Sequence, residues 1–180
     1  MKTSLVHNIK IFALFVIVSC GALTSKAQSA AENEGFKQAK QFLNQYIEHF
    51  NLLLKNPNDV KGLKASAEDI SYPAVLISPK GNKLIATEPS FVKKSNLGFL
   101  NYLAKQGIAR ISWQKIELKK LGNHVIIASN VANLLNQQGE QVSQTSGTYL
   151  IHKHQGRWKI YSRIQHPIED RINLNSSSNR

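Results

Sequence analysis

The chain has 180 residues and a formal net charge of +12, with 42% hydrophobic and 19% charged residues. A chain of this length forms one domain that buries about two thirds of its unfolded surface, so the fold needs no metal or disulfide for its stability. Cys20 is the only cysteine, which excludes an intramolecular disulfide. The basic residues are scattered and not interleaved with aromatic residues suited to stacking bases. Nucleic acid is therefore not expected as a partner.

The amino terminus has the order of a bacterial secretory signal. Lys2 and Lys10 stand before Ile11–Val18, an unbroken apolar run, and small residues at the peptidase positions end at Ala27. The run is too short for a stable membrane span, which needs about 20 apolar residues. The sequence predicts a signal peptide over residues 1–27 and an exported domain, periplasmic or secreted.

Cys20 leaves an alternative open. Ile17–Cys20 also fits a lipobox, in which the cysteine carries the acyl chains and becomes the first residue. In that case Gly21–Gly35 is a tether and the domain is held on a membrane. Without lipid at Cys20, no membrane partner is expected.

Two helices are predicted after a loose lead-in over residues 28–35. From Phe36 to Leu54, apolar residues recur at steps of three and four, which places one apolar stripe along a helix of about five turns. Asn58 or Asp59 can cap a second, short helix through Lys64–Ala67.

The period then changes to that of a strand. Tyr72–Ile77 reads as a strand, and Pro79–Asn82 as the turn into a short strand near Leu84–Ala86. Pro89 opens another helical stretch, and Gly107 is a suitable left-handed terminator for it.

The last 60 residues have the pattern of an antiparallel meander with turns rich in glycine, asparagine and glutamine between its strands. The predicted strands are Arg110–Leu121, His124–Asn136, Ser143–His154 and Arg157–His166. Ile168–Arg180 ends in small polar residues with nothing to bury, and a frayed tail is expected there.

Helices followed by a long antiparallel sheet predict an α+β fold with the helices packed on one face of the sheet. A strongly twisted meander curls, and a long helix across its concave face leaves a cone with an apolar interior. The order of elements thus predicts a pocket.

Three segments resemble the nuclear transport factor 2-like superfamily, including its SnoaL-like and ketosteroid-isomerase-like branches. They are Phe42–Asn51 in the first helix, Gly147–Ile151 in the penultimate strand and Gly156–Ile160, a Gly-x-Trp-x-Ile start of the last strand. The resemblance covers about Phe36–Pro167. It implies the cone-shaped fold, but such motifs say little about chemistry, because similar proteins include isomerases, dehydratases, cyclases and non-catalytic binding domains.

The isomerase branch can be compared residue by residue. Tyr46 falls where that branch places a tyrosine that donates a hydrogen bond to a developing oxyanion. Catalysis there also needs a carboxylate base, yet Ile70–Lys80 contains no acidic residue and Asp69 is expected to cap a turn. The resemblance therefore implies no catalytic residue here, and steroid-type isomerisation is not expected.

Strand alternation separates the faces of the last strand. It assigns Trp158, Ile160, Ser162, Ile164 and His166 to the concave face, and Arg157, Lys159, Tyr161, Arg163 and Gln165 to the other. His152 and His154 share a face, but no third ligand is evident, so neither a metal nor a cofactor is expected. The candidate pocket residues are Tyr46, Phe50, Tyr72, Trp113, Ser129, Ser162 and His166.

The leading hypothesis is a non-catalytic domain that binds a small apolar or amphiphilic ligand in its cone. The outer sheet face would allow a homodimer. One alternative is a small lyase or isomerase that uses His166 with Tyr46 or Tyr72. Another is a structural or interaction module of the cell envelope.

Overall fold

The computed structural model describes residues 34–122 and 124–174. The predicted signal peptide, Cys20 and most of the lead-in lie outside this range. The chain divides into two compact units, Met1–Gln38 and Ala39–Arg180, and the whole sheet belongs to the second. Within the described ranges, no helix is both long and apolar enough to cross a membrane.

Within the described residues, the second unit holds six strands, two whole helices and the part of the first helix from Ala39 onward, which confirms the α+β fold predicted from the sequence. Helix α1 covers residues 34–55 in the described range. The other elements are α2 (Val60–Glu68), β1 (Ile70–Ile77), β2 (Lys83–Ala86), α3 (Pro89–Lys105), β3 (Arg110–Lys120), β4 (Val125–Leu135), β5 (Gln141–His154) and β6 (Arg157–His166).

One face of α1 is buried along its length from Ala39, as the three- and four-residue spacing predicts. The buried apolar residues are Ala39, Phe42, Leu43, Tyr46, Ile47, Phe50 and Leu53. A buried polar contact fixes the helix on the sheet. The Asn51 amide accepts a hydrogen bond from the Ile111 amide nitrogen at 2.8 Å and donates to the Ile111 carbonyl at 3.0 Å. Because both backbone groups of Ile111 are satisfied, burial of this edge of β3 costs little.

The six strands form one sheet in the order β2-β1-β6-β5-β4-β3. The pair β1 and β6 is parallel, and every other pair is antiparallel. The helices lie on the concave, inner face of this twisted sheet, where residues of α1 and α3 line a cavity together with residues of β3, β4, β5 and β6.

A bulge in β6 reverses the faces that strand alternation predicts for its second half. Ile151 pairs with Ile160, whereas Leu150 pairs with Ser162, so Tyr161 is an extra residue. Trp158 and Ile160 lie on the inner side, as predicted. Beyond the bulge the prediction is wrong: Arg163 turns inward to α1, while His166 bonds to side chains on the outer face.

The outer face of the sheet carries the segment after β6, residues 167–174, which we call the C-terminal segment. The Ser129 hydroxyl donates to the Ile172 carbonyl at 2.6 Å, and Arg171 contacts Glu117 at 2.7 Å. The expectation that the chain frays from Ile168 is therefore wrong as far as Leu174, because polar groups of the sheet hold the segment. Residues 175–180 lie outside the described range.

Candidate functional site

The helices and the concave face of the sheet enclose a small inner cavity. Its volume is about 30 Å³, which leaves room for about one water molecule. Its lining residues come from α1, α3, β3, β4, β5 and β6: Tyr46, Ile47, Phe50, Phe99, Ile111, Trp113, Asn130, Ala132, Thr145, Ser146, Tyr149, Arg163 and Gln165. The cone is therefore nearly filled at its centre.

Aromatic rings fill most of this centre. Tyr46 packs edge-on against Phe50 and Tyr149, with ring centroids 5.1 Å and 6.1 Å away. The ring centroids of Trp113 and Tyr149 lie 6.3 Å apart, and the indole nitrogen of Trp113 donates a hydrogen bond to the Leu43 carbonyl at 3.2 Å. The structure thus brings together three of the predicted pocket residues, Tyr46, Phe50 and Trp113, mainly as packed core.

Arg163 places a cation on this aromatic cluster. Its Nη1 donates a hydrogen bond to the Tyr46 hydroxyl oxygen at 2.7 Å. Because Tyr46 accepts this bond, its own O–H remains a donor. No carboxylate forms an ion pair with Arg163 in residues 34–122 and 124–174. The guanidinium is therefore enclosed beside a neutral partner.

The nearby tyrosines stay neutral at ordinary pH. Burial raises the pKa of Tyr46, although the charge and hydrogen bond of Arg163 oppose this shift. Burial also raises the pKa of Tyr149 far above its usual value. Burial is the largest single influence on the pKa of Arg163 and lowers it, but the electrostatic contacts with Tyr46 and Tyr149 and the hydrogen bond to Tyr46 together leave this pKa above its usual value. The cluster therefore carries one uncompensated positive charge.

A larger outer cavity of about 300 Å³ adjoins the inner one and shares Phe99, Arg163 and Gln165 with it. It lies between the β1–β2 hairpin, α3 and β6. The remaining lining residues are Leu76, Ile77, Ser78, Asn82, Lys83, Leu84 and Ser95. Its walls combine apolar side chains with Lys83 and Arg163, and the described lining contains no acidic residue and no histidine.

Asn130 brings an unsatisfied donor to the inner cavity. Its Nδ2 is buried and has no hydrogen-bond partner among the described residues. A buried amide without an acceptor costs about 1–3 kcal/mol, unless water or a ligand atom supplies one. Asn130 and Arg163 thus both present donors to the interior of the cone.

The other four predicted pocket residues lie elsewhere. Tyr72 donates its hydroxyl to the Ala67 carbonyl at 2.8 Å, and burial raises its pKa to about 12. Ser129 holds the C-terminal segment on the outer face. Ser162 follows the bulge and pairs with Leu150. None of these three lines the inner or the outer cavity.

His166 also lies on the outer face. Its ring nitrogens lie 3.0 Å from the Ser146 and Thr148 hydroxyl oxygens, and it lines neither cavity. The structure therefore does not bring His166 together with Tyr46 or Tyr72. The bulge before it explains why alternation assigns it to the wrong face.

Two features escaped the sequence reasoning. Strand alternation assigns Arg163 and Gln165 to the outer face, and the bulge that turns them inward leaves no clear signal in the sequence Tyr161-Ser162-Arg163. Asp69 contacts His49 at 2.6 Å, a pairing across 20 residues that periodicity cannot show.

His152 and His154 lie with ring centroids 6.0 Å apart, and in the described part of the chain no group of three potential metal ligands occurs.

The architecture described above, with helices over the concave face of a six-stranded sheet, defines a cone-shaped protein of the nuclear transport factor 2-like class. A family model described as NTF2-like protein (DUF6841) matches residues 33–168. The chain belongs to this family, as the resemblance of its motifs implies.

Solved structures share the fold at low sequence identity. An NTF2-like protein with a cystatin-like fold from Novosphingobium aromaticivorans is 10% identical with a TM-score of 0.63, over 82% of this chain and 91% of that one. Aln2 from a Streptomyces species is 13% identical with a TM-score of 0.60, over 76% and 92%. An NTF-2 like protein of unknown function from Shewanella oneidensis is 16% identical with a TM-score of 0.51, over 72% and 99%. No curated protein matches the chain. These similarities show the fold alone.

Proposed function

We propose that the protein is a non-catalytic binding domain for a small amphiphile with an anionic head group. The observation that carries this proposal is Arg163, an enclosed cation whose side-chain partner is a neutral phenol. Arg163 is partly buried and lacks a counter-charge among the described residues, and a ligand carboxylate would supply one through a charge-assisted hydrogen bond.

The geometry favours binding in the outer cavity. The inner cavity has room for about one water molecule, whereas about 300 Å³ is at the lower end of the volumes of small-molecule sites. Arg163 lines both cavities, so a head group can reach it from the outer one. The apolar body of the ligand would then lie against Leu76, Ile77 and Leu84.

The lining residues also support a binding role over catalysis. The Tyr46 hydroxyl and Arg163 could stabilise an oxyanion, but proton transfer requires a base within hydrogen-bond reach. The described lining of both cavities supplies no carboxylate and no imidazole. The lyase or isomerase alternative depended on His166, which bonds to Ser146 and Thr148 on the opposite face of the sheet.

Export remains part of the proposal. The order of charges, apolar residues and small residues in Met1–Ala27 supports a role outside the cytoplasm, with lipid at Cys20 as the alternative. The mass of the mature amino terminus tests this. A chain that begins at Gln28 supports cleavage, and a diacylated Cys20 supports a lipoprotein.

Binding is tested with straight-chain carboxylates and the primary alcohols of the same chain length. We expect octanoate to raise the melting temperature of the protein while octanol has little effect. Arg163→Gln should abolish the octanoate shift. Arg110→Gln, which removes an exposed arginine of β3, serves as the matched control and should keep it. Equal shifts with acid and alcohol, or an undiminished shift in Arg163→Gln, would contradict the proposal.

A further inference from the structure

The inner cavity is lined by donors that the ligand proposed above does not reach. Its volume of about 30 Å³ leaves room for about one water molecule, so a carboxylate, phosphate or sulfate group is too large for it. The proposed carboxylate meets Arg163 from the outer cavity instead. The polar side chains around the inner cavity therefore suit a different, smaller partner.

Asn130 contributes the first of these donors. The residue is 2% exposed, and its Nδ2 has no hydrogen-bond partner among the described residues. Asn130 pairs with Gly147 across β4 and β5, and a Cβ at Gly147 would lie 3.2 Å from the Tyr149 ring and 3.8 Å from Asn130 Oδ1. Because Gly147 has no side chain, both side chains fit against β5 and line the inner cavity.

Tyr46 contributes a second donor. The residue is 2% exposed, and its hydroxyl oxygen accepts a hydrogen bond from Nη1 of Arg163 at 2.7 Å, so its O–H is left to donate. Among the described residues this hydroxyl makes no other hydrogen bond. Burial raises the pKa of Tyr46, which keeps the phenol protonated at ordinary pH.

The charge beside the cavity is positive. Arg163 lines the cavity and forms no ion pair within residues 34–122 and 124–174. Asp69 is close enough to raise the pKa of Tyr46, but its carboxylate contacts His49 at 2.6 Å and does not line the cavity. No other described acidic residue lines it either. The cavity therefore disfavours a cation and favours an anion.

We propose that the inner cavity binds a single chloride ion through Arg163, Tyr46 and Asn130. Chloride is only a little larger than a water molecule, it accepts hydrogen bonds from several directions, and it supplies the counter-charge that Arg163 lacks. A water molecule would accept the same hydrogen bonds, but it would leave the charge of Arg163 unbalanced and would need acceptors for its own two hydrogens. This inference rests on the proposed role of Arg163 as an anion-binding cation.

Chloride would also regulate the ligand proposed for the outer cavity. Arg163 lines both cavities, and one guanidinium cannot neutralise two anions. Chloride in the inner cavity therefore weakens the binding of a carboxylate in the outer cavity. The coupling is reciprocal, so octanoate weakens the binding of chloride by the same factor.

Bromide locates the site directly, because it resembles chloride and scatters X-rays anomalously. Crystals of the full protein are soaked in bromide. We expect one anomalous peak in the inner cavity, within hydrogen-bond distance of Asn130 Nδ2 and of the Tyr46 hydroxyl. Water alone at this position would overturn the proposal. A peak without saturable chloride binding in solution would overturn it too, since the halide would then be an adventitious ion only.

Binding in solution is measured by the broadening of the chloride NMR signal. Asn130→Leu removes Nδ2 with little change of volume and should weaken binding about tenfold, as the loss of one hydrogen bond to an ion predicts. Tyr46→Phe is a second variant that should also weaken it, and Arg163→Gln should abolish it. Asn101→Leu, at an exposed asparagine of α3, is the matched control and should bind as the wild type does. Equal binding by the wild type and both Asn130→Leu and Tyr46→Phe would contradict the site.

Octanoate separates a failure of this inference from a failure of the proposed function. Sulfate, which is too large for the inner cavity, replaces chloride at constant ionic strength. Chloride should weaken octanoate binding several-fold in the wild type and have no effect in Asn130→Leu, since Asn130 does not line the outer cavity. Octanoate binding that is insensitive to chloride would overturn the inference and leave the proposed function standing. Chloride binding without octanoate binding would support the inference and overturn the proposed function.

Discussion

The two faces of the sheet each hold one enclosed charge, and the two charges are treated differently. On the outer face, Glu117 is 4% exposed and meets the Lys115 ammonium at 2.6 Å, Arg171 at 2.7 Å and the Leu174 amide at 3.2 Å. On the inner face, the neutral Tyr46 oxygen is the one hydrogen-bond partner of the Arg163 side chain among the described residues. Complete compensation indicates a structural role for Glu117. The missing partner of Arg163 indicates a binding role.

The cover over each charge differs as well. Glu117 is buried under the C-terminal segment, whereas Arg163 is only partly buried and lines the outer cavity. The hydrogen bond from Lys115 is the largest of the effects that lower the pKa of Glu117 to about 2, and burial opposes it only in part. The outer charge thus has partners of opposite sign, whereas the inner charge has only a neutral hydroxyl as its hydrogen-bond partner among the described residues.

Loss of the outer charge should have the largest effect on stability. Glu117→Gln leaves Arg171 without its carboxylate and loosens the C-terminal segment. We expect the free energy of unfolding to fall by about 2 kcal/mol, below the value for a deep ion pair because its partner Lys115 is half exposed. Urea unfolding measures this. Glu169→Gln, an exposed acid of the same segment, is the control and should change little.

Acid should remove the same contribution without a mutation. The pKa of Glu117 is about 2 in the folded protein against 4.5 ordinarily, so its stabilisation is complete above about pH 4.5. It is lost as the pH falls toward 2, because the folded carboxylate is then protonated. The stability difference between the wild type and Glu117→Gln should shrink over this interval. A constant difference would show that the carboxylate charge is not the cause.

Loss of the inner charge should change the stability in the opposite direction. Arg163→Met replaces an enclosed, uncompensated cation with an apolar side chain of similar length. We expect the free energy of unfolding of the ligand-free protein to rise by about 1 kcal/mol, a gain of stability at the cost of binding. Urea unfolding with the octanoate titration measures both. A loss of stability of similar size would mean that Arg163 serves the fold.

The His49–Asp69 pair stands between these extremes, because it is compensated but partly exposed. Asp69→Asn should lower the free energy of unfolding by about 0.5 kcal/mol at neutral pH. Since the pKa of His49 is raised, the contribution is complete below about pH 6.5 and is lost as the pH rises through the folded value. Stability measured against pH should therefore show the variant and the wild type converging at alkaline pH. Divergence there would contradict the protonated pair.

The sequence was a good guide to the fold and a partial guide to the site. Apolar spacing in α1 predicts its buried face, and the glycine-rich turns predict the meander, because both patterns are local. Three of the pocket residues predicted from the sequence line the inner cavity, namely Tyr46, Phe50 and Trp113. Local sequence patterns therefore predict the helix and strands that enclose the cavity and the aromatic residues that pack inside it.

What could not be predicted depends on register and on distant contacts. One extra residue, Tyr161, exchanges the faces of Arg163 and His166. Ser129 reaches the C-terminal segment across 43 residues, and Asp69 reaches His49 across 20. Alternation counts residues along one strand, so it cannot detect a bulge that the neighbouring strand imposes.

The comparison of the two charges rests most directly on one measurement, the free energy of unfolding of the wild type and of Arg163→Met with and without octanoate. We expect Arg163→Met to have the higher free energy of unfolding without ligand and to gain nothing from octanoate, while the wild type gains stability with octanoate concentration. Equal gains in both proteins, or a less stable variant, would contradict the claim that Arg163 awaits an anionic partner.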